Sequence, residues 1–116
     1  MASATAQRIR YETLRSLAFG SIGAGYTGVG ASFANPVRLI MIDNLTDKNL
    51  IVSFDGVTNH TVVASMSGKV LDYASNRMAP ADHLEQAVGD RVYVKAESAL
   101  PTLGNVYVSV IYASAS

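Results

Sequence analysis

Residues 37–76 read VRLIMIDNLTDKNLIVSFDGVTNHTVVASMSGKVLDYASN, and this stretch decides the fold class. Short runs of β-branched and other apolar residues alternate in it with tight turns that are rich in Asp, Asn and Gly. Short strands with turn signals at intervals of about 8–12 residues are typical of β-sandwiches and barrels. We therefore predict an all-β scaffold, and no turn of the stretch carries a set of groups suited to catalysis.

The same pattern continues towards the C-terminus and predicts a set of short antiparallel strands. Residues 37–42 are apolar on both faces, so we expect a central strand that is covered on both sides. The dipeptide Ser67-Gly68 predicts a hairpin between the two strands that flank it. Two packed antiparallel sheets, jelly-roll-like, fit this pattern best. The predicted strands are 37–42, 50–54, 61–66, 69–74, 91–96 and 106–112.

The first third of the chain differs from this regular part. Residues 7–19 alternate with a period of two, which favours a strand, although Leu14 and Leu17 also suit the spacing of a helix. Residues 20–30 are rich in glycine, which loses much conformational entropy when it is ordered. We therefore predict an extended glycine-rich N-terminal arm, residues 1–35, and a β-sandwich domain, residues 36–116. Neighbouring subunits are expected to hold the arm.

Composition excludes several classes of protein. One domain of 116 residues buries roughly two-thirds of its unfolded surface, so packing alone can stabilise it. The absence of cysteine excludes disulfides and thiolate metal sites and fits synthesis in a reducing compartment. Nine basic and nine acidic residues cancel, so direct nucleic-acid binding is not expected. A neutral chain is poorly protected against association, which favours a homo-oligomer.

No segment of the sequence predicts membrane association or secretion. No uninterrupted apolar run approaches the 18 or so residues that a spanning helix needs. Residues 1–6 are small and polar and lack the apolar region of a secretory signal peptide. Export through a signal peptide is therefore not expected.

The motifs with possible chemistry are better explained by structure. Gly23 to Gly28 match G-x-G-x-x-G, but the residues that follow do not predict the helix that a dinucleotide motif requires. His60 and His83 are far apart and lack further zinc ligands. Asp82 is expected to cap one or two helical turns in residues 81–88. No cofactor is predicted.

A loose group of acidic and amide side chains lies at Asp43, Asn44, Asp47 and Asp55. Their oxygens suit calcium, but the spacing matches no dedicated calcium loop. Asx-turns, in which these side chains bond the local backbone, explain the group more simply. We therefore predict neither a metal site nor catalytic residues.

Four segments resemble small virion structural proteins of tailed bacteriophages. These segments are RLIMIDNLTDKNLIVSFDG at 38–56, KVLDYASN at 69–76, RVYVKA at 91–96 and GNVYVSVIY at 104–112. The resemblance implies a β-sandwich without catalytic residues that attaches to the capsid shell as decoration or cement, or to the head–tail neck or collar. Its implied partners are other virion proteins, namely the major capsid protein, the portal or a neck adaptor. Its implied location is the virion, after synthesis in the host cytoplasm.

The predicted function is therefore non-enzymatic docking on neighbouring virion proteins, and a ligand- or carbohydrate-binding β-sandwich module is the alternative. Tyrosines such as Tyr93 and Tyr107, on the less apolar faces of their strands, are suited to anchor an interface. A chain without residues 1–30 is expected to fold but not to enter particles. The predicted contact residues are Arg8, Arg10, Tyr11, Leu14, Phe19, Tyr26, Phe33, Tyr93 and Tyr107.

Overall fold

A computed structural model describes residues 7–73 and 86–115 of the chain. Within these residues the protein is all-β, with no α-helix and with a short 3-10 helix at Phe19–Ser21. The predicted all-β class is therefore confirmed. The strands are β1 (Gln7–Tyr11), β2 (Arg15–Ala18), β3 (Thr27–Gly28), β4 (Val37–Asn44), β5 (Leu50–Ser53), β6 (Thr61–Val63), β7 (Ser67–Asp72), β8 (Tyr93–Ala96) and β9 (Asn105–Ala115).

The strands form two antiparallel sheets, as predicted. Sheet A has the order β1–β9–β4–β7, and β2 pairs with β9 alongside β1. Sheet B has the order β3–β8–β5–β6. The chain changes sheet between β2 and β3, between β3 and β4, and again after β4, β6, β7 and β8. Most sequence neighbours therefore lie in different sheets, and β5–β6 is a hairpin within one sheet.

The core lies between the two sheets because alternate residues of each strand point inwards. In sheet A, β9 contributes Val106, Val108 and Val110, and β4 contributes Ile40 and Ile42. Each such side chain stabilises the fold by roughly 1.5–3 kcal/mol when it is fully buried. The other buried members of the core are Ile22, Val29, Phe33, Val37, Leu50, Val52, Val63, Val92 and Val94.

The N-terminal third belongs to both sheets. The strand interpretation of residues 7–19 is confirmed, with an interruption at 12–14 where the chain passes from β1 to β2. β3 pairs with β8 in the opposite sheet, and Ile22, Val29 and Phe33 are buried in the core. Residues 7–33 are therefore an integral part of the sandwich, and the predicted boundary after residue 35 separates no two structural units among the described residues.

Two local predictions are wrong. Ser67-Gly68 is not a hairpin turn, because β6 pairs with β5 in sheet B whereas β7 pairs with β4 in sheet A. The chain turns earlier, at Met66, whose φ of 57° lies in the left-handed region. β4 is central in sheet A as predicted, but no other described strand covers its second face. The predicted cap Asp82 and most of residues 81–88 lie outside the described residues.

Candidate docking surface

The side of sheet A that faces away from sheet B carries a group of neighbouring apolar side chains, which we name the outer face. Asp72, opposite Leu39, and Ser109, opposite Met41, lie on the same side. The inward residues of β4 and β9 are fully buried, so the residues that alternate with them point outwards. Tyr11 is 72% exposed, Ile9 66% and Val70 59%, and the other members are half-buried. The outer face comprises Ile9, Tyr11, Leu39, Met41, Val70, Ile111 and Ala113.

Strand register places these side chains next to one another. Tyr11 lies opposite Ile111 on β9, and Ile111 lies opposite Leu39 on β4. On the next row of the sheet, Met41 lies opposite Val70 on β7. Cross-strand partners have Cβ atoms about 4.5–5.5 Å apart, so these apolar groups are in lateral contact. Contiguous exposed apolar surface of this kind marks interaction sites on soluble proteins.

A cleft of about 520 Å³ lies beside the outer face, between the β1–β2 interruption and residues 30–34. The Arg15 Nη2 atom donates to Glu12 Oε1 at 2.7 Å, and both side chains are only 7% exposed. Arg15 Nε donates to the Ala31 carbonyl at 2.8 Å, and Nη2 donates to the Ser32 carbonyl at 3.0 Å. The Arg15 guanidinium also lies 5.3 Å from the centre of the Phe33 ring.

The Glu12 carboxylate also accepts several hydrogen bonds from the neighbouring chain segment. Its Oε2 atom accepts from the backbone N–H groups of Ala34 (3.2 Å) and Asn35 (3.0 Å), and from the Asn35 side-chain amide at 2.9 Å. Burial alone would raise the pKa of Glu12, but the hydrogen bonds from Asn35 and Arg15 and the Arg15 charge together lower it. The pair is thus a clamp between two chain segments and has no group left for acid–base chemistry.

The nine predicted contact residues are divided between five places. Arg8, Arg10, Tyr11 and Leu14 lie at the N-terminal edge of sheet A and are exposed. Phe19 lies at the far end of β2 and is 39% exposed. Phe33 is 2% exposed and belongs to the core, because its ring is buried beneath Arg15.

The other three tyrosines of the predicted set lie on opposite sides of the molecule. Tyr107 is half-buried and borders the outer face, and its hydroxyl accepts from the Asn105 amide at 2.9 Å. Tyr26 and Tyr93 are half-buried on the solvent side of sheet B. Cations lie over both rings, with Lys95 Nζ 4.7 Å from the Tyr26 centroid and the Arg91 guanidinium 5.7 Å from that of Tyr93. The predicted set therefore does not form one site.

The side chains considered as metal ligands stabilise turns. The buried Asn44 forms the predicted Asx-turn, since its Oδ1 accepts from the Thr46 N–H at 3.0 Å. Asp55 Oδ1 accepts from the N–H groups of Thr58 (2.7 Å) and Val57 (2.8 Å), which hold the pKa of that carboxyl well below its usual range. Among residues 7–73 and 86–115, no group of three or more His, Cys, Asp or Glu residues is arranged to hold a metal ion.

Other predicted ligands have local partners or fall outside the described residues. A hydrogen bond from the Thr102 side chain lowers the pKa of Asp47, whose Oδ1 also accepts from the Thr102 N–H at 2.8 Å. His60 Nδ1 accepts from the Phe54 N–H at 3.0 Å. His83 lies outside the described residues. The glycine motif ends in β3 and is followed by Val29, whose N–H donates to the Val92 carbonyl at 2.8 Å, so this motif precedes a strand contact and not a helix.

The sequence did not identify the part of the outer face that lies on β4 and β7. Leu39 and Met41 were interpreted as part of a doubly covered strand, and Val70 as a hairpin residue. The available signal was the unusual presence of two apolar residues at the outward positions of β4, opposite an apolar residue on β9. That signal becomes visible only when the strand order is known.

Searches against protein-family models, curated proteins and solved structures find no match to this chain. Among the described residues, no helix is long and apolar enough to cross a membrane.

Proposed function

We propose that this chain is a non-enzymatic structural protein of a tailed-phage virion, and that it docks on neighbouring virion proteins through the outer face. The apolar side chains of the outer face carry the proposal, because strand pairing brings the exposed Ile9, Tyr11 and Val70 and their half-buried apolar neighbours onto one side of sheet A. Three of the described carboxylates, Glu12, Asp47 and Asp55, accept several hydrogen bonds each, which supports a role without catalysis. The virion setting comes from the resemblance of residues 38–112 to such proteins.

We further assign the sandwich to the jelly-roll type. A jelly roll joins two four-stranded antiparallel sheets through Greek-key connections. When β1 and β2 are counted as one interrupted strand, the chain has eight strands in the orders 1–8–3–6 and 2–7–4–5. This arrangement supports the assignment. Because one fold serves many functions, the strand order supports the architecture alone and the outer face carries the functional proposal.

The proposal predicts that substitutions on the outer face prevent incorporation into particles. Val70→Lys places a charge at an exposed position on the β7 edge of the outer face, beside Met41. Val62→Lys places the same charge on an exposed valine of β6 in sheet B. We expect the Val70→Lys chain to fold but to be missing from purified particles. The Val62→Lys chain should be incorporated at the wild-type level. Equal incorporation of the two variants would show that the outer face is not the docking surface.

Copy number tests the virion role and distinguishes its two positions. Quantitative mass spectrometry of purified particles gives the ratio of this chain to the major capsid protein. A small ring-like ratio indicates the neck or collar, and a ratio near that of the shell protein indicates decoration or cement. Absence of the wild-type chain from particles would overturn the proposed function.

The alternative, a carbohydrate-binding module, depends on Tyr26 and Tyr93. Both rings lie on the solvent side of sheet B, where sugar rings would have to stack. The nearby Lys95 and Arg91 cations instead lie over these rings. Glycan-array binding by the wild-type chain that is lost in Tyr93→Ala would favour this module over the docking role.

A further inference from the structure

The turn between β5 and β6 contains the dipeptide Asp55-Gly56, which is prone to a spontaneous rearrangement of the main chain. The backbone nitrogen of a residue that follows aspartate can attack the side-chain carboxyl group, and glycine has no side chain to hinder this attack. Asp55 is the only aspartate of the sequence that is followed by glycine, and no asparagine is followed by glycine. Asp55 is also exposed, so water reaches it.

The rearrangement consumes no reagent other than water. The Gly56 nitrogen loses its proton to solvent and bonds to Asp55 Cγ, and the carboxyl hydroxyl takes up a proton and leaves as water. The product is a cyclic imide, and water then adds to one of its two carbonyls. Opening at Cγ restores aspartate, whereas opening at the main-chain carbonyl gives isoaspartate, in which the main chain passes through the former side chain. The neutral carboxyl is the reacting form, because an ionised carboxylate has no hydroxyl to lose.

Ser53 holds both reacting groups in the folded protein. Its side chain is fully buried at the end of β5. The Ser53 Oγ atom accepts from the Gly56 N–H at 2.9 Å and from the Asp55 N–H at 3.2 Å, and it donates to Asp55 Oδ1 at 2.8 Å. A hydroxyl can donate one hydrogen bond and accept two, so the whole capacity of this buried group is used in the turn. The attacking nitrogen and the carboxylate are therefore both bound to one hydroxyl.

Two further features of the turn oppose the rearrangement. The N–H groups of Thr58 and Val57 also donate to the Asp55 carboxylate, and these bonds hold its pKa well below the usual range, so the neutral form is scarce. The backbone of Gly56 has a φ of 78°, and a Cβ placed on this residue would stand 3.3 Å from Cε2 of Tyr93. The Tyr93 ring therefore lies against the glycine and restricts the rotation that ring closure needs.

We propose that Asp55-Gly56 is a latent isoaspartate site and that Ser53 keeps it unreacted in the folded protein. Unfolding breaks the hydrogen bonds of the turn, so isoaspartate accumulates in unfolded chains. The product does not fit the turn, because the carboxyl carbon that held Val57 and Thr58 has become part of a longer main chain. Chains that react while unfolded should therefore refold poorly. This inference is independent of the proposed docking function.

The first test compares the folded and the unfolded full-length chain. Wild-type protein is incubated for several weeks in neutral buffer, with and without guanidinium chloride, and is then digested with trypsin. Isoaspartate leaves the mass of peptide 49–69 unchanged, but it shifts the chromatographic retention and blocks a protease that cleaves before aspartate. We expect the rate in denaturant to be at least about tenfold higher than in the folded protein. Gly56→Ala should react much more slowly in denaturant, which identifies the reacting pair.

The second test compares two folded variants that each lose one serine hydroxyl. Ser53→Ala removes three hydrogen bonds at the turn, one of them to a charged group, and should raise the rate of isoaspartate formation at least about tenfold over wild type. Ser65→Ala is the matched control, because it removes a hydroxyl that donates to the Thr46 carbonyl at 2.7 Å and leaves Asp55 untouched. It should react at the wild-type rate.

Amide hydrogen exchange of Gly56 tests Ser53 in the wild-type chain, even if Ser53→Ala does not fold. The proton that exchanges is the one that the nitrogen must lose before it attacks. We expect exchange at least about tenfold slower than in an unfolded chain, because this N–H donates to Ser53. Three outcomes would overturn the inference: Gly56 exchange at the unfolded rate, equal isoaspartate formation with and without denaturant, and a folded Ser53→Ala chain that reacts no faster than wild type.

Discussion

Glu12 and Arg15 show how one ion pair fixes the path of the chain at the interruption between β1 and β2. The Arg15 side chain donates hydrogen bonds to the carbonyls of Ala31 and Ser32. The Glu12 carboxylate accepts hydrogen bonds from the N–H groups of Ala34 and Asn35. Removing one partner from a buried pair leaves the other charge uncompensated, which costs more than the pair itself contributes. Loss of one member of the clamp should therefore destabilise the fold mainly because the other member is left buried without an opposite charge.

Glu12→Gln should lower the free energy of unfolding by about 2–4 kcal/mol at pH 7. The glutamine retains one acceptor oxygen but cannot neutralise Arg15. Urea denaturation at pH 7 measures the change. The matched control is Glu97→Gln, at an exposed position, which should change stability by less than about 0.5 kcal/mol. Equal effects of the two substitutions would contradict the clamp.

The same residue predicts a dependence on pH. The pKa of Glu12 is lowered in the folded protein from a reference value of 4.5, because its hydrogen bonds and the Arg15 charge outweigh the cost of burial. A lowered carboxyl pKa contributes stability above the unfolded value, and this contribution is lost as pH falls through the folded value. The stability difference between wild type and Glu12→Gln should therefore shrink below pH 4.5. Urea denaturation of both proteins at a series of pH values from 7 to 3 measures this stability difference. A difference that stays constant over this range would refute the lowered pKa of Glu12.

Gly104 illustrates a residue whose side chain is excluded by sterics. Its φ is 91°, and a Cβ at this position would collide with the Leu45 carbonyl oxygen. Gly104→Ala should cost at least about 2 kcal/mol, because both the backbone conformation and the neighbouring main chain resist it. Gly20→Ala is the control, since no atom lies within 4 Å of its Cβ position, and it should change stability by less than about 1 kcal/mol. Thermal unfolding compares the two.

At the scale of elements, the strands that can be predicted from the sequence are those whose own residues alternate between apolar and polar or aromatic types. β8 and β9 alternate valines with polar or aromatic residues, so their existence and their inward faces follow from the sequence. β3 has only two residues in a glycine-rich segment, so no period marks it, and its place is set by pairing with the distant β8. The Ser67-Gly68 dipeptide gave a turn signal, but Met66 takes the left-handed conformation and the dipeptide opens β7.

The difference between alternation within a strand and pairing between distant strands also explains which residues of the candidate site could be predicted. The exposure of Tyr11 and the outward position of Tyr107 follow from alternation within one strand. The outer face as a whole depends on which strands are neighbours, and strand order is a long-range property. Phe33 was predicted as a contact residue of the N-terminal arm, but its ring is buried in the core beneath Arg15.

Two truncations test the role of the N-terminal strands. A chain that begins at Glu12 lacks β1, which packs chiefly on β9, and should remain folded with a dispersed amide NMR spectrum. A chain that begins at Ala31 also lacks β2, β3 and the buried Ile22 and Val29. We expect it to be unfolded, because the loss of two strands and of buried core side chains is large compared with the typical stability of a domain, about 5–15 kcal/mol. A folded chain from Ala31 would restore residues 1–30 to the role of a separable arm.

At the scale of the whole molecule, the described ends of the chain are neighbours. Gln7 lies opposite Ala115 in the β1–β9 pair. Such a topology makes folding depend on contacts between the most distant parts of the sequence, and loop closure opposes these contacts in the unfolded chain. Folding is therefore expected to be slow for a domain of this size, in the range of milliseconds to seconds.

A covalent link between the two termini should lower the entropic cost of bringing them together when the chain folds. A backbone-cyclised chain in which a flexible Gly/Ser linker connects the N-terminus to the C-terminus should be roughly 2–4 kcal/mol more stable than the same chain with the linker left open. Its refolding rate should also rise. Urea denaturation and stopped-flow refolding measure the two effects. An unchanged rate together with an unchanged midpoint would mean that the ends do not meet as the β1–β9 register requires.

The central position of β9 also has a consequence for synthesis on the ribosome. β9 lies between β1 and β4 in sheet A, and it leaves the ribosome after all eight other strands. A nascent chain that stops before Asn105 has no strand to join the two halves of the outer face. Incomplete translation products therefore cannot form the complete outer face. Under the proposed function, a chain can dock only after its last strand has been synthesised.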